Sequence, residues 1–481
     1  MRARARPLVL AAALAAWFVP SLGASADEGR DPFGTRSLAA PSPAQSVHPG
    51  YAAPSCAARV DASMELSLAD VVSRALCNNP QTRVAWASAL AQAAQVGIAK
   101  SAFLPSVTAS GAIDHVSAHG GGPSSLTGSY RETNGDVNVG YVLFDFGARD
   151  ATLDEALQTA TSAAYAQDAT LQKTILSALQ AYYQLFGLRE AVSATQEAEK
   201  AAQESLKAAT ARYDAGTATP ADKLLAQTAY SQAVLNRIQA QGAAKVAEGT
   251  MANVMGEDAD RRFDYRAPAT SAAGRGFEAD LGKLIAAARE RRPDLAATQA
   301  QVEAAGAAVR AARASGWPTV SVVANAGSTD TSITPSLGTG TIGLQLTVPL
   351  FSGFETTYRV RSAQAQLESQ KAQRDNASSQ VALDVWQAYY NLDTGTQAVR
   401  SSADLVASAQ AAAQVALGRY KAGAGTLLDA LTAQASLANA RLQEIQARYN
   451  WFVLRADLAQ ALGQLDFARA TSLEARPGTT P

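Results

Sequence analysis

The two halves of the chain carry the same sequence pattern. Pro80 and Pro105 recur as Pro293 and Pro318, 213 positions later, and three further segments recur at a spacing of 207. These segments are Leu143-Phe144-Asp145 with Leu350-Phe351-Ser352, Ala181-Tyr182-Tyr183 with Ala388-Tyr389-Tyr390, and Arg212-Tyr213-Asp214-Ala215-Gly216 with Arg419-Tyr420-Lys421-Ala422-Gly423. Because self-similarity at a fixed spacing indicates a repeated structural unit, we predict an internal duplication. The change of spacing falls where we expect a loop of variable length.

Each unit changes from helical to strand periodicity and back. Residues 66–101 and 281–314 are alanine-rich and are predicted to be helical, and the residues after them alternate between apolar and polar. Since a period of two is typical of a β-strand, we predict β-hairpins at 103–146 and 317–351, with four strands in all. The apolar positions are Val107, Ala109, Gly111, Ile113, Val137, Val139, Tyr141 and Leu143, then Val320, Val322, Ala324, Ala326, Ile342, Leu344, Leu346 and Val348.

The segments after the hairpins lack helix-breaking residues over an unusual length. From about 149 to 215 there is no proline, and Gly187 is the only glycine. This predicts a helix of about 67 residues, which is roughly 100 Å at 1.5 Å per residue. A second long helix is predicted at 355–421, with shorter ones at 219–256 and 427–463. No globular domain holds such helices, so we predict an elongated cylinder of antiparallel helices packed closely through alanine.

The N-terminus has the pattern of a secretory signal peptide. Three arginines precede an apolar run from Pro7 to Pro20, and Ala24-Ser25-Ala26 forms an A-x-A cleavage site. The run is too short to cross a bilayer comfortably, so we predict a signal peptide at 1–26 and export of an unlipidated chain. The further predicted divisions are a Pro/Ser/Ala-rich linker at 27–63, the first structural repeat at 64–276, the second at 277–465 and a C-terminal tail at 466–481.

The sequence has only two cysteines, Cys56 and Cys77. An exported chain meets oxidising conditions, which favour a disulfide that ties the linker to the first helix. The alternative is a pair of free, buried thiols.

A four-stranded sheet with one apolar and one polar face leaves two unpaired edges. Lipid offers such an edge no hydrogen-bonding partner, so a sheet in a membrane must close with other copies of the chain. Two copies would give eight strands and three would give twelve, and the residues alone do not choose between them.

The alternative to a membrane barrel is a soluble α+β protein with ordinary hairpins. The signal peptide and the long helices favour the barrel, and a plain coiled coil would not need the junctions at Pro105 and Pro318.

These motifs resemble those of the TolC-like outer-membrane efflux and secretion protein family over residues 66–463. The resemblance lies in Asn79-Pro80, Phe103-Leu104-Pro105, Val348-Pro349-Leu350-Phe351-Ser352-Gly353 and the paired R-Y-x-A-G turns. Residues 76–83 are most similar to the members that serve type I secretion of a cyclolysin-type toxin, the CyaE group. The resemblance implies an α+β membrane protein that forms a homotrimer. The twelve strands of the trimer would form one transmembrane β-barrel in the Gram-negative outer membrane, and a long antiparallel α-helical tunnel would continue the barrel across the periplasm.

The resemblance also implies partners and a function. It implies outer-membrane lipid around the barrel, a periplasmic adaptor protein at the tunnel tip and an inner-membrane ABC or RND pump that supplies the energy. We therefore predict a passive duct for type I protein secretion. The alternative is the outer-membrane component of a multidrug or metal efflux pump, and a structural or adhesive outer-membrane protein is less favoured.

The paired turns are the candidate functional residues. Each turn is predicted to join two antiparallel helices, with Gly216 and Gly423 as helix stops. The resemblance places these turns at the periplasmic tip, facing the adaptor. The residues concerned are Arg212, Tyr213, Gly216, Arg419 and Gly423.

An aspartate stands six residues after each glycine stop, at Asp222 and Asp429. An acidic residue in the first turn favours the helix dipole, but three inward-facing copies of Asp429 would form a ring of carboxylates that binds cations. By resemblance, Asp222 and Tyr420 match a linked pair of the closed gate, and Asp429 matches the first of two aspartate rings. Two residues depart from the pattern: Gly425 replaces a linking arginine, and Thr432 replaces the second aspartate.

Neither an active site nor a metal centre is predicted. His48, His115 and His119 lie in the presumed linker and outer loop, and there is no G-x-S-x-G nucleophile elbow. The 41 basic and 42 acidic residues form no long run of one sign, which argues against nucleic acid as a partner. The tyrosine doublets are predicted to pack between helices or at an interface. We expect no enzyme activity and no cofactor.

Overall fold

The computed structural model divides into two compact units. One unit comprises Met1–Ala39, Leu90–Thr161 and Gln299–Ala372, and the other comprises Ala40–Ala89, Ser162–Thr298 and Gln373–Pro481. The predicted signal peptide and most of the predicted linker and tail lie outside the described residues. The structure describes residues 31–38, 65–118, 128–268, 280–333 and 335–472.

The first unit contains a four-stranded antiparallel sheet in the order β1-β2-β3-β4. The four predicted strands are confirmed, and the sheet joins the two hairpins through β2 and β3. The first hairpin loop, residues 119–127, lies outside the described residues. The strands are β1 (Ser106–Ala118), β2 (Gly128–Phe144), β3 (Thr319–Thr331) and β4 (Leu337–Thr347).

Apart from Leu143, where the pairing near the end of β2 is irregular, the register places the apolar positions of the four strands on one face of the sheet. Val107 pairs with Val139, Val139 with Ala324, and Ala324 with Ile342. The next row, Thr108-Asn138-Asn325-Thr341, lies on the other face, where the Asn325 amide donates a hydrogen bond to the Asn138 side chain at 2.7 Å. Since neighbouring residues of a strand point to opposite faces, the sheet has the predicted apolar and polar faces.

Two phenylalanines at the ends of the second and fourth strands have left-handed backbone conformations. Phe146 has φ 52° and Phe354 has φ 65°, a region that costs a bulky residue conformational energy. The Phe146 ring stacks on Trp317 with centroids 5.4 Å apart, and the Phe354 ring meets Phe351 edge-on at 5.6 Å. Aromatic rings therefore cluster at one end of the sheet, beside these two phenylalanines.

Helices make up most of the rest of the described chain. The two predicted helices of 67 residues are confirmed, and each is followed by a helix of 35 residues. No helix of the described part is both long and apolar enough to cross a membrane. The helices are α1 (Leu68–Asn78), α2 (Pro80–Ser101), α3 (Ala148–Asp214), α4 (Pro220–Val254), α5 (Leu281–Arg291), α6 (Pro293–Ala314), α7 (Glu355–Lys421), α8 (Leu427–Ala461) and α9 (Phe467–Ser472).

The prediction of one continuous helix at 66–101 and another at 281–314 is wrong in one respect, because each region forms two consecutive helices. The break falls at Asn79 (φ −60°, ψ 126°) and at Arg292 (φ −70°, ψ 121°). Both residues precede a proline, whose ring disfavours the helical conformation of the residue before it. The proline then occupies the first position of the next helix, where its missing N–H costs no hydrogen bond.

The core of the second unit lies around the tyrosines of α3. Tyr182 and Tyr183 are fully buried, and the Tyr183 ring stacks on Phe452 of α8 at 4.9 Å. These residues therefore pack between helices, as predicted. In the corresponding doublet of α7, Tyr390 is 45% exposed, so the equivalent positions have different surroundings in the two halves.

Each helix of 35 residues ends close to a break at a proline. Gly256, with φ +74°, follows α4 and lies against the backbone of Asn78 and Asn79, while the Asn79 side chain donates to the Val254 carbonyl at 3.0 Å. Gly463, with φ +66°, follows α8 and lies against Arg291 and Arg292 in the same way. The end of each repeat is thus packed on its beginning.

Cys77 lies in α1 and carries no free thiol. Its predicted partner, Cys56, lies outside the described residues, so the pairing of the two stays a prediction.

Candidate functional site

The two helical hairpins α3–α4 and α7–α8 end in turns of the same geometry. Gly216 has φ +73° and Gly423 has φ +74°. The backbone N–H after each glycine donates to the carbonyl five residues before it, from Thr217 to Arg212 and from Ala424 to Arg419, both at 2.9 Å. This is the Schellman arrangement, which satisfies the last carbonyls of a helix and ends it at a glycine.

Each returning helix begins with a capping box. The Thr219 hydroxyl accepts the Asp222 backbone N–H at 3.2 Å, and the Asp222 carboxylate accepts the Thr219 backbone N–H at 3.1 Å. Thr426 and Asp429 repeat the exchange at 3.1 and 3.3 Å. Both predicted gate aspartates therefore satisfy free N–H groups at the start of their own helices.

The pKa of Asp429 lies below its ordinary value. The Thr426 hydrogen bonds to the carboxylate are the main cause, and the nearby Arg419 charge adds to it. Both favour the ionised form of the carboxyl group, so Asp429 carries its negative charge over the whole physiological pH range.

Tyr420 is held by Arg212 of the other hairpin. The Arg212 guanidinium lies 4.4 Å above the Tyr420 ring and donates to the carbonyls of Tyr420 at 3.1 Å and Lys421 at 3.3 Å. These carbonyls belong to the last turn of α7, where a cation is favourable. Arg212 thus belongs to the α3–α4 hairpin, but its side chain stacks on Tyr420 and caps the end of α7 in the other hairpin. The sequence pointed to Arg212 only as a turn residue.

A small apolar cluster surrounds Tyr420. The ring is 7% exposed and packs with four buried residues of both hairpins, which are Ala209, Ala226, Leu427 and Ala430. No hydrogen bond joins Tyr420 to Asp222 within the described part of this single chain, so the linked pair implied by the resemblance stays a prediction.

The equivalent residues of the other turn have a different environment. Arg419 donates to the Ala424 carbonyl of its own turn at 3.2 Å. Tyr213 is 39% exposed, with the Lys223 ammonium 5.1 Å from its ring centre. Within one chain, the arginine and tyrosine of the repeated motif therefore meet once, through Arg212 and Tyr420.

Asp429 opens into a groove on the second hairpin, and Arg419 and Gly425 line the same groove. A Cβ atom at position 425 would lie 3.0 Å from the Cβ of Arg419, so glycine allows Arg419 to approach the turn closely. Thr432, the second position that departs from the family pattern, is exposed on α8. Arg419 and Asp429 therefore place charges of opposite sign along this groove.

Ionic and polar contacts connect the hairpins above their turns. Arg441 pairs with Glu197 at 2.6 Å, and Ser205 donates to Gln434 at 3.2 Å. Between α3, α4 and α8 lies a cavity of about 390 Å³ lined by alanines and by polar side chains. The described residues contain no group of three or more His, Cys, Asp or Glu side chains that could hold a metal, and His48 and His119 lie outside them.

Replacement of Arg212 with alanine is expected to loosen the end of α7. The loss of the stacking and of two charge-assisted hydrogen bonds at a partly exposed site should cost about 1–2 kcal/mol, a factor of about 5–30 in the population of the opened turn. Limited trypsin digestion should then cut after Lys421 faster by a similar factor. Cleavage after the exposed Lys207 of α3 serves as the internal control. Equal acceleration at both lysines would contradict a local role of Arg212.

A four-stranded sheet with an uncovered apolar face, joined to helices of 67 residues and paired helical hairpins, is the fold of an outer-membrane channel. The sequence profile of the family described as "Outer membrane efflux protein" matches residues 71–257 and 284–464. The chain belongs to this family. Its members are channels rather than enzymes, and they point to the Gram-negative outer membrane as the location.

Individual relatives agree with this assignment. The chain is 32% identical to Protein CyaE of Bordetella pertussis, over 92% of this chain and 93% of that protein. It is 28% identical to outer membrane efflux protein BepC of Brucella suis, over 84% of this chain and 87% of that protein. Among solved structures, the CmeC outer membrane channel of Campylobacter jejuni matches with a TM-score of 0.75 and 19% identity, over 85% of this chain and 89% of that one. That identity supports the fold alone.

Proposed function

We propose that this chain is the outer-membrane duct of a tripartite export system. Three copies would close their sheets into a barrel of twelve strands, and their helices would continue as a tunnel in the periplasm. The observation that carries the proposal is the sheet, which has one apolar face and, within the described residues, no strand partner at the outer edges of β1 and β4. In lipid each unpaired edge would cost several kcal/mol per unsatisfied group, and closure with further copies removes this cost.

The exposed side chains of the sheet support a lipid-facing surface. Ile113, Ile342 and Leu344 are each at least 74% exposed in the single chain, and all lie on the apolar face. Aromatic residues at the strand ends, including Phe351 and Trp317, are also exposed. A band of apolar residues flanked by aromatic rings is typical of outer-membrane barrels.

The paired turns are proposed to form the periplasmic tip. In this proposal Asp222, Tyr420 and Asp429 belong to the gate, while Arg212, Tyr213, Gly216, Arg419 and Gly423 face a periplasmic adaptor protein. An inner-membrane ABC or RND pump would select the cargo and supply the energy. The exposed Arg419 and Asp429 give the turn charges of both signs, which suits both docking and gating by ion pairs.

The cargo is proposed to be a protein exported by type I secretion. The support is the higher identity with Protein CyaE, at 32%, than with the efflux protein BepC, at 28%, together with the similarity of residues 76–83. Drug or metal efflux is the second candidate. A deletion strain separates them: loss of a secreted protein from the medium supports the first, and increased drug or metal sensitivity with normal secretion supports the second.

The duct itself is tested on the purified protein in detergent. We expect the mass of three chains, recovery from the outer-membrane fraction and cation-sensitive currents in planar bilayers. A chain recovered only as a soluble periplasmic monomer without current would reject the proposal. Trimers without current and without an export defect after deletion would instead indicate a structural or adhesive protein.

Replacement of Asp429 with alanine is expected to weaken the block of single-channel current by divalent cations. Three carboxylates in one ring bind a divalent cation more tightly than isolated carboxylates do, and their loss should raise the blocking concentration at least about tenfold, equivalent to about 1.4 kcal/mol. Asp70→Ala is the matched control, because Asp70 also closes a capping box in the third position of its helix and lies outside the proposed gate. If both variants change the block equally, loss of the helix cap explains the effect and the ring is excluded.

A further inference from the structure

The charged residues of the strands are divided between the two faces of the sheet. His115 of β1 and Arg131 of β2 lie directly opposite each other, and the alternation of the strands places both on the apolar face. The expected position of His115 in an outer loop is wrong, because β1 extends to Ala118. Asp114 and Glu132, the residues beside this pair, also lie opposite each other but on the polar face. At one height the sheet therefore presents two basic side chains on one face and two carboxylates on the other.

The fold itself does not use the two basic side chains. Both are exposed, and no ion pair joins either of them to a carboxylate within the described part of the chain. Asp330, the carboxylate of the described strands that shares their face, lies opposite Thr133 and not opposite Arg131. Because like charges directly opposite each other destabilise a sheet, the stability of the sheet does not explain the pair.

The pair lies at the upper limit of the apolar surface. Tyr141, on the apolar face near the helix end of β2, is ten residues from Arg131. Ten residues of strand cover about 33 Å, which is about 25 Å across a membrane at the tilt of about 40° that barrel strands have. The apolar band of an outer-membrane barrel is about 25 Å tall. With the helices in the periplasm, His115 and Arg131 therefore lie at the level of the outer-leaflet headgroups.

From this placement, and resting on the proposed function, we infer that His115 and Arg131 form a binding site for a phosphate group of the outer-leaflet glycolipid. The Arg131 guanidinium can donate two parallel hydrogen bonds to phosphate oxygens, and an imidazole has an N–H donor in either protonation state. Directly opposite residues have Cβ atoms about 4.5–5.5 Å apart, so one phosphate group can reach both side chains.

The surroundings of the pair fit a phosphorylated glycolipid of that leaflet. Its acyl chains lie along the apolar face below the pair, where Ile113 is 74% exposed. The phosphates of inner-leaflet phospholipids lie at the opposite end of the sheet, so they are not the source. On the polar face, Asp114 and Glu132 repel a phosphate group, and the Asn134 amide donates to the Glu132 carboxylate at 2.9 Å. The charges thus favour an anionic ligand on the lipid side alone.

Native mass spectrometry of the purified full-length protein in detergent tests the site. The probe is diphosphoryl lipid A, compared with the same lipid after removal of its phosphates. We expect one phosphorylated lipid per chain and at least about tenfold weaker binding of the phosphate-free form, because charge-assisted hydrogen bonds are lost. Equal binding of the two lipids to the natural protein would overturn the inference without any variant.

Arg131→Gln should weaken binding of the phosphorylated lipid at least about tenfold for the same reason. Glu132→Gln is the matched control, because it removes one charge from the adjacent residue on the other face, and it should not weaken binding. Equal weakening by both variants, or displacement of the lipid by an equal concentration of phosphatidylglycerol, would also overturn the inferred site.

The same spectra separate this inference from the proposed function. A protein with the mass of three chains but without phosphate-dependent binding contradicts the lipid site alone. The mass of a single chain, with binding that still depends on phosphate and on Arg131, contradicts the proposed trimer and supports the site.

Discussion

Replacement of Gly256 with alanine should destabilise the protein more than any other glycine-to-alanine change in the described part of the chain. The residue has φ +74°, and a Cβ there would lie 2.5 Å from the carbonyl oxygen of Asn78 and 2.9 Å from the backbone nitrogen of Asn79. The left-handed conformation alone costs a non-glycine residue about 1–2 kcal/mol. Because the obstacle is backbone, relief of the contact must also move the break between α1 and α2. We expect a total loss above about 3 kcal/mol, which is large for one substitution.

The matched control is Gly216→Ala at the turn of the first hairpin. Gly216 has φ +73°, but a Cβ there meets nothing within 4 Å, so only the conformational cost of about 1–2 kcal/mol remains. Guanidinium unfolding followed by circular dichroism in detergent compares the two. Gly463→Ala should fall between them, because its Cβ would lie 3.0 Å from backbone atoms of Arg291 and Arg292. Equal losses at positions 216 and 256 would show that the contact with Asn78 does not matter.

The sequence predicted the helices and strands that follow from a regular pattern of residue types. Alternation in the residues after Pro105 and Pro318 predicted strands that the structure confirms, since a period of two admits no other regular element. The absence of proline predicted the long helices to within about one residue, Ala148–Asp214 and Glu355–Lys421, because only proline and glycine interrupt a helix strongly.

The single helices predicted at 66–101 and 281–314 do not allow for the breaks at Asn79 and Arg292, although the signal for each break is in the sequence. Both residues precede a proline, and the residue before a proline is disfavoured in the helical region. The capping boxes could also be predicted from the sequence, because Thr219 and Thr426 each lie three residues before an aspartate. That pattern explains the position of Asp222 and Asp429 before any role in a gate is considered.

The contact of Arg212 with Tyr420 could not be predicted from the sequence. It joins residues 208 positions apart, and the repeated motif offers the same arginine and tyrosine twice. Which arginine contacts which tyrosine depends on how the two hairpins pack against each other, and the periodicity of the sequence does not determine that packing. The candidate site was thus located by its turns, while its internal contacts required the structure.

Replacement of Arg292 with methionine should remove the ion pairs that fix the second break. The Arg292 side chain is 7% exposed, and its guanidinium lies 2.6 Å from Asp384 and 2.5 Å from Asp294. Methionine keeps most of the apolar stem but leaves two carboxylates without their cation. Loss of one partner of a buried pair costs about 3–5 kcal/mol, and we expect about 2–3 kcal/mol here because both carboxylates are partly exposed. Arg374→Met, which removes an exposed partner of Asp375, is the control and should cost under about 0.5 kcal/mol.

The pH dependence identifies the ion pair as the source of this loss. Burial raises the pKa of Asp294, but the hydrogen bonds and charge of Arg292 outweigh it and hold the pKa below its ordinary value. A carboxyl group with a lowered pKa stabilises the folded state above its unfolded pKa of about 3.9, and this contribution is lost as the pH falls through the folded value. The difference in unfolding free energy between the natural protein and Arg292→Met should therefore be full at pH 7 and shrink below about pH 4. A difference that stays constant down to pH 3 would mean that packing of the arginine stem, and not its charge, holds the break.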